Sequence, residues 1–552
     1  MTRFIFIVGG VMSGIGKGVT AASLARILYN RGYAVSAVKI DPYVNVDAGT
    51  MNPVEHGEVF VTSDGMECDQ DIGTYERFLG VDLPGINSIT TGQIFQEVIR
   101  KERGLEYNGR CVEVVPDIPN EVIRRLKLAA RQARADILLV EIGGTAGEYQ
   151  NILYLEAARF MRHESPQDVA VVLVSYLPIP HALREMKTKP TQQAVHALQA
   201  AGLQPDFIVG RAAQPIDVPR KRKLAIFCNV AEENVISAPN LSSVYEVPLQ
   251  FEREEFAKRL CKKMRIPIRK PKAVYEKPWM QFIHRSQKST KTVSIGILGK
   301  YFASGAFVLE DVYISVIEAI KHAAWERGLT PKIQWLDSEA YEQFPQKIKE
   351  LKQFDGIIVP GGFGARGTEG KIGAIHYLRT KYIPFLGLCF GMQLAVVEFA
   401  RNVANMRQAH TTEINPQTKF PVIDIMPEQV TKIHEKILGG SMRLGNYTCK
   451  VIPHTLAQHA YSRKKRTNIA VIANERHRHR YEFNNEFKSK LERLGLICSG
   501  INPDKQLVEI IELKNHPFFI GTQFHPELRS RPLNPHPLFL AFIEAAHKKP
   551  SV

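Results

Sequence analysis

The stretch FLGLCFGMQLA, residues 385 to 395, sets Cys389 between Gly387 and Gly391. An apolar run that reads as a strand precedes it, and one that reads as a helix follows. The resulting G-x-C-x-G is a cysteine version of the sharp turn that lifts a nucleophile to the top of an α/β sheet. Free cysteine is also among the most buried residue types, so this window alone suits a space-filling thiol as well as a nucleophile. A nucleophilic thiol needs a base, because free cysteine titrates at about pH 8.5. GTQFHPELRS offers one, with His525 followed two residues on by Glu527. In an extended segment residues i and i+2 share a face, so imidazole and carboxylate point the same way. Cys389, His525 and Glu527 then satisfy triad logic, which does not depend on chain order. The run PGGFG, residues 360 to 364, adds backbone N–H groups that suit an oxyanion.

A second chemistry opens the chain. VGGVMSGIGKGVTAASLARIL puts a glycine-rich turn between a strand and a helix. Backbone N–H groups and the helix N-terminus there suit phosphate oxygens, and Lys17 adds a point charge. The turn departs from the P-loop expression: its first glycine falls at Val11, and Gly18 replaces the magnesium-holding Ser/Thr. A metal must then be held by carboxylates from elsewhere. The candidates are Asp71 in ECDQDIGTYERF and Glu141 at the end of the strand ILLVEIGG, where open α/β sheets place ligands. MKTKPTQ sets Lys187 and Lys189 at the mouth of a helix, with Pro190 in its first turn and Thr191 and Gln192 following. It reads equally as a triphosphate contact and as a surface charge cluster.

The elements that must position these groups alternate twice. FIFIV, AVSAVKI, ILLVEIG, VAVVLVSY and FIVG read as strands, and the stretches beginning at Val19, Asn151 and Thr191 read as helices. Such alternation predicts a mostly parallel, doubly wound sheet. RIPIRKPKAVYEKPWM is proline-rich and basic, without helical or strand periodicity, and reads as part of a linker over residues 267 to 290. TVSIGILGK starts a second alternation that runs through GIIVPGGFG and Cys389 to a helix near LFLAFIEAA. The prediction is two tandem doubly wound α/β domains, residues 1–266 and 291–552.

Composition agrees with that organisation. At 552 residues, 44% hydrophobic and 23% charged, the chain is ordinary for a multidomain globular protein. Seven scattered cysteines form neither a disulfide framework nor a zinc pattern, which predicts a reducing, cytoplasmic setting. The apolar N-terminal run ends at Gly9 and Gly10, far short of a signal sequence or membrane span. A net charge of +16 is spread over the chain with clusters at 219 to 223, 269 to 272 and 462 to 466. Without a nucleic-acid-binding signature it reads as solvated faces plus polyphosphate ligands, with neither nucleic acid nor membrane as partner.

GLCFGMQ, with PGGFG upstream and FHPE downstream, resembles a class I glutamine amidotransferase domain. GGVMSGIGKG, KIDPYVNVDAGTMNPVEHGEVFVTSDG, KTKPTQ, ERHRHRYEFN and GGSMRLG together resemble the CTP synthase family from end to end. The resemblance implies a P-loop-like amidoligase domain followed by the amidotransferase domain. It implies that Cys389, His525 and Glu527 hydrolyse glutamine, and that Gly362, Phe390, Gly391, Met392, Gln393, Glu413 and Arg480 bind it. It places Ser13, Gly14, Ile15, Gly16, Lys17, Gly18, Val19 and Asp71 on ATP, and Asp71 and Glu141 on Mg2+. It places Ser13, Lys187, Thr188, Lys189, Pro190, Thr191, Gln192 and Lys223 on UTP and CTP, together with the strip Glu148, Tyr149 and Gln150. The implied partners are ATP, UTP and L-glutamine, with GTP as activator, CTP as inhibitor and a homotetramer as the assembly.

Several positions depart from the family pattern. AGEYQN stands where V-G-D-I-E-S is expected, so Tyr149 and Gln150 change size and charge. Leu183 and Arg184 replace the expected S-G before Glu185, and Asp117 stands where the family has histidine. The segment between Glu413 and Gly439 is shorter than the family's. These changes leave open an amidoligase with another acceptor or altered feedback, or a non-catalytic assembly protein; intact Lys17, Asp71, Glu141 and Cys389 argue against the last.

Overall fold

The computed structural model describes residues 2–548 except 183, 301–302, 305–306, 309, 427–428, 430–438 and 463–468, and gives backbone alone for 303–304, 307–308 and 310. Leu183, most of the basic cluster at 462 to 466 and much of the stretch before Gly439 therefore lie outside the described residues. By internal contacts the chain divides into two units, Met1–Ala48 with Asp71–Ile283, and Gly49–Gln70 with His284–Val552.

In the first unit the apolar runs become a seven-stranded sheet among the described residues. Its order is Ser88–Thr90, Val35–Asp41, Ile137–Ile142, Arg3–Gly9, Val169–Tyr176, Phe207–Ala212 and Val235–Pro239, and every neighbouring pair is parallel. Strands such as VAVVLVSY are apolar along nearly their whole length because a parallel sheet is covered on both faces. The helices Lys17–Asn30, Ile152–Glu164 and Lys189–Ala200 follow the first, fourth and fifth strands in chain order. Register sets Lys39 opposite Glu141, and Glu141 opposite Ile7, so the C-terminal ends of three strands meet at one edge.

Among the described residues the second unit holds a nine-stranded sheet. Leu329–Asp337, Lys291–Gly299, Gly356–Val359, Phe385–Leu388 and Phe519–Thr522 are parallel. Val508–Leu513, Leu496–Ile501, Arg443–Val451 and Val471–His479 extend it antiparallel. Val359 pairs with Gly387, and Leu388 with Thr522. Three adjacent strands thus release PGGFG, Cys389 and the segment to His525 side by side. The segment Gly49–Gln70, early in the chain, belongs to this unit and forms the hairpin Val59–Val61 with Glu67–Asp69.

The stretch expected to lack helical periodicity is a helix, Ala273–Lys288. Its prolines and basic residues hide the spacing of Trp279, Phe282 and Ile283, which lie on one face and are buried. The Arg26 guanidinium sits 4.5 Å over the Trp279 ring, whose indole N–H donates to Tyr245 O at 3.1 Å.

Candidate functional site

In the second unit Cys389 has φ 50° and ψ −103°, a region a side chain rarely occupies. Its N–H donates to Thr522 O at 2.6 Å, and its carbonyl accepts from Gln393 N at 3.1 Å, the first turn of the helix Phe390–Asn402. A Cβ at Gly391 would run into the Val359 carbonyl oxygen, so the turn closes only on glycine.

His525 Nδ1 lies 2.7 Å from Glu527 Oε1, but Glu527 sits in a 3-10 turn, Pro526–Arg529, rather than in the extended segment expected, so the pair meets around a turn and not along a strand face. Burial opposes charge on this imidazole, but Glu527 and then Cys389 outweigh it and push its pKa up to about 10. Cys389, His525 and Glu527 line an open pocket with Gly361, Gly362, Phe363 and Tyr313. Pro53, Glu58 and Val59 of the early segment line it too. Glu67 of the same segment accepts from Arg478 Nε at 2.7 Å, and Arg478 also lines the pocket.

In the first unit Lys17 is buried and donates to Gly144 O at 2.6 Å. Burial lowers its pKa, with Glu141 opposing. Lys39 joins the acids: it donates to Asp71, lies 3.2 Å from Glu141 Oε1 and 3.8 Å from Asp41 Oδ1. Tyr75 donates to the other Glu141 oxygen. Burial, and next Asp71, push the Glu141 carboxyl up to about 7. Val11 keeps a left-handed φ of 79° at the position where the P-loop pattern has glycine. Beside the loop, Gly16, Val19 and Thr20 line a second pocket with Arg211, Leu241, Val244 and Phe251.

A family model for the CTP synthase N-terminus matches residues 3–266, and one for class I glutamine amidotransferases matches residues 308–545. The chain is 48% identical over 551 residues to a CTP synthase of Thermococcus kodakarensis, covering 100% of this chain and 99% of that protein. It is 47% identical over 547 residues to a CTP synthase of Acaryochloris marina, covering 99% and 95%. The chain belongs to the CTP synthase family. Among solved structures, the glutaminase domain of Trypanosoma brucei CTPS with bound acivicin is similar at 34% identity, covering 47% of this chain and 96% of that one, with a TM-score of 0.42.

The residues that the CTP synthase resemblance assigns to glutamine are only partly in the pocket. Gly362 lines it, and Glu413, whose carboxyl burial pushes up, accepts from Gly364 N at 2.7 Å. Arg480 donates to Gln429 Oε1 at 3.1 Å and Ser441 Oγ at 2.9 Å. Phe390 is buried with the Lys300 and Lys371 ammoniums 5.5 and 5.6 Å from its ring centre, and Met392 is fully buried against Gly521. Gln393 is buried and donates to Tyr481 O at 2.9 Å.

In the synthase half, Ser13 and Gly14 are exposed, Ile15 and Gly18 are buried, and Gly16 and Val19 are half-buried. Ala194 of the helix Lys189–Ala200 packs at Gly10, which brings the 187 to 192 stretch beside the loop. Thr191 accepts from Ser175 Oγ at 2.9 Å and Gln192 donates to Thr188 Oγ1 at 3.2 Å, both inside the fold. Pro190 sits in the first turn and Lys189 is exposed. Lys187 and Arg220 share Glu185, and Lys223 is exposed one turn beyond Arg220. Glu148 accepts from Thr145 N at 2.8 Å and from the Gln150 amide at 3.0 Å, while Tyr149 is 91% exposed. Arg184 is exposed. Asp117 is buried, accepting from Arg110 and from Glu113 N at 2.9 Å, so it serves the fold locally.

Lys39, Asp41, Tyr75 and Arg211 escaped the motif reading. The i, i+2 pair in KIDPY at a strand end was the available signal for Lys39 and Asp41. Two carboxylates meeting on an ammonium fit Mg2+, which takes one or two carboxylates plus substrate phosphates. Among the described residues no group of three or more His, Cys, Asp or Glu forms a metal cage of its own. No helix is long and apolar enough to cross a membrane, again among the described residues.

Proposed function

We propose that the chain makes CTP by aminating UTP, with ATP as phosphoryl donor and glutamine as nitrogen source. The observation that carries this is a cysteine on a strained turn beside a His525–Glu527 pair, in the same chain as a buried glycine-loop lysine, Lys17, next to the cluster of Lys39, Asp71 and Glu141. His525 takes the Cys389 proton through Nε2, since Nδ1 is held by Glu527. The sulfur attacks the glutamine carboxamide, and N–H groups at Phe390 and Gly362 face the oxygen on which charge develops. His525 returns the proton to the leaving ammonia, and water then hydrolyses the thioester to glutamate.

In the first unit the loop N–H groups and Lys17 hold triphosphate, and the pocket beside Arg211 takes the adenine ring. Lys39 stands at the meeting point of the acids, placed to neutralise charge as phosphate passes to the uracil 4-oxygen. Asp71 and Glu141 would hold Mg2+, which when bound neutralises phosphoryl charge. Ammonia carried from the glutaminase site displaces that phosphate. Activation by GTP, inhibition by CTP and a homotetramer are part of the same reading, supported by family membership.

The test is UTP-dependent CTP formation by the purified chain, with a panel of other nucleotides as acceptors. Amination of UTP above every other acceptor is expected; preference for another base would replace UTP in this reading.

A further inference from the structure

Behind Cys389 lies an amide that the triad leaves unused. Gln523 is fully buried, between the strand Phe519–Thr522 and His525, with its backbone N–H donating to Glu509 O at 2.9 Å. Its Nε2 lies 3.7 Å from Cys389 Sγ, and its Oε1 accepts from Gln393 Nε2 at 3.3 Å. The Gln393 contact decides which end of Gln523 faces the sulfur. The Gln393 amide is itself oriented by Tyr481 O, which can only accept, at 2.9 Å. An ordered relay results, from the Tyr481 carbonyl through Gln393 to Gln523 and the sulfur.

Besides His525, the Arg478 carbonyl is a polar neighbour of the sulfur, 3.8 Å away. A carbonyl accepts from a thiol and repels a thiolate, whereas an amide N–H does the reverse. The two contacts therefore serve the two protonation states of one atom.

We propose that Gln523 is a further catalytic residue for glutamine hydrolysis: its amide N–H holds the Cys389 thiolate once the proton has passed to His525, and Gln393 is the positioning residue that keeps that N–H turned to the sulfur. The proposal rests on Cys389 being the nucleophile. The proton moves from Sγ to the imidazole while the sulfur keeps the electron pair, so no further reactant is needed. The titratable and charged groups around this centre include His525 with Glu527 behind it, Arg478 with Glu67, and the buried His477 and His479, whose pKa values burial holds well below the usual histidine range, with the Arg443–Glu509 pair beside them.

The experiment follows alkylation of Cys389 by iodoacetamide against pH in the full chain, read by mass spectrometry, beside kcat and KM for glutamine hydrolysis. Gln523→Leu should slow alkylation at pH 7 roughly three- to tenfold, move the profile to higher pH and lower kcat with little change in KM. Gln523→Glu keeps the shape and the Gln393 contact but turns a carboxylate to the sulfur, so it should slow alkylation further. It also supplies the readout should the leucine variant fail to fold. Gln393→Leu should shift the profile in the same direction by less. A wild-type profile in a Gln523 variant that unfolds at the wild-type temperature would overturn the proposal, as would a loss confined to KM. Alkylation of wild-type Cys389 that spares glutamine hydrolysis would overturn both the proposal and the nucleophile assignment on which it stands.

Discussion

Gly18 has no side chain where Asp71 has one: a Cβ on Gly18 would fall within 3.0 Å of Asp71 Oδ1. The phosphate loop and the acid it serves are therefore packed atom against atom. Gly18→Ala should push Asp71 off Lys39 and lower CTP synthesis at least tenfold with glutamine or ammonium, by the loss of about 1.5 kcal/mol or more in charged hydrogen bonding. Hydrolysis of glutamine, measured as glutamate release, should persist. Full synthesis in the alanine variant would show that Asp71 is free to shift without consequence.

If Asp71 and Glu141 hold Mg2+ as proposed, Asp71→Asn and Glu141→Gln should each remove synthesis with either nitrogen donor, because the phosphoryl charge loses its cation. Synthesis from ammonium retained in both variants would place the ligands elsewhere.

The imidazole of His525 carries its own pH signature. Glu527 and Cys389 raise its pKa to about 10 against the effect of burial. A raised pKa gives stability that is full below about 6.5, the ordinary histidine value, and that is lost as pH rises through the folded value. Glu527→Gln removes the main cause, so the alkaline loss of glutaminase activity should move to lower pH. The stability gap between wild type and variant should close toward pH 10. Coincident alkaline limbs in the two pH profiles would contradict the pairing.

Much of this was legible before the structure because nucleophile turns, phosphate loops and i, i+2 pairs are local in the chain. Cys389, His525, Glu527 and Lys17 each announce themselves within ten residues. Lys39 does not, since its meeting with Glu141 is created by strand register across a sheet. Arg211 and Phe251 reach the loop pocket only through tertiary packing. The early segment around Glu58 lines the thiol pocket although more than three hundred residues separate it from Cys389 in the sequence. The helix Ala273–Lys288 was hidden by Pro278 and its basic neighbours, which mask a short apolar face.

In the proposed reading the strip Glu148, Tyr149 and Gln150 contacts CTP and so bears on feedback. Gln150 gives its amide to Glu148, so no carboxylate at position 150 is offered to nucleotide hydroxyls. CTP should inhibit this protein roughly tenfold more weakly than relatives with an acid there, since a charged hydrogen bond contributes about 1.5 to 3 kcal/mol. Gln150→Glu should restore part of the inhibition, measured at fixed UTP. Tight inhibition in wild type, unchanged by the substitution, would mean that other residues make the contact.

The most direct test of the two-site account is CTP formation by Cys389→Ala, measured with glutamine and then with ammonium. The account predicts that glutamine-dependent synthesis is abolished while synthesis from ammonium persists. Equal loss with both nitrogen sources would contradict it.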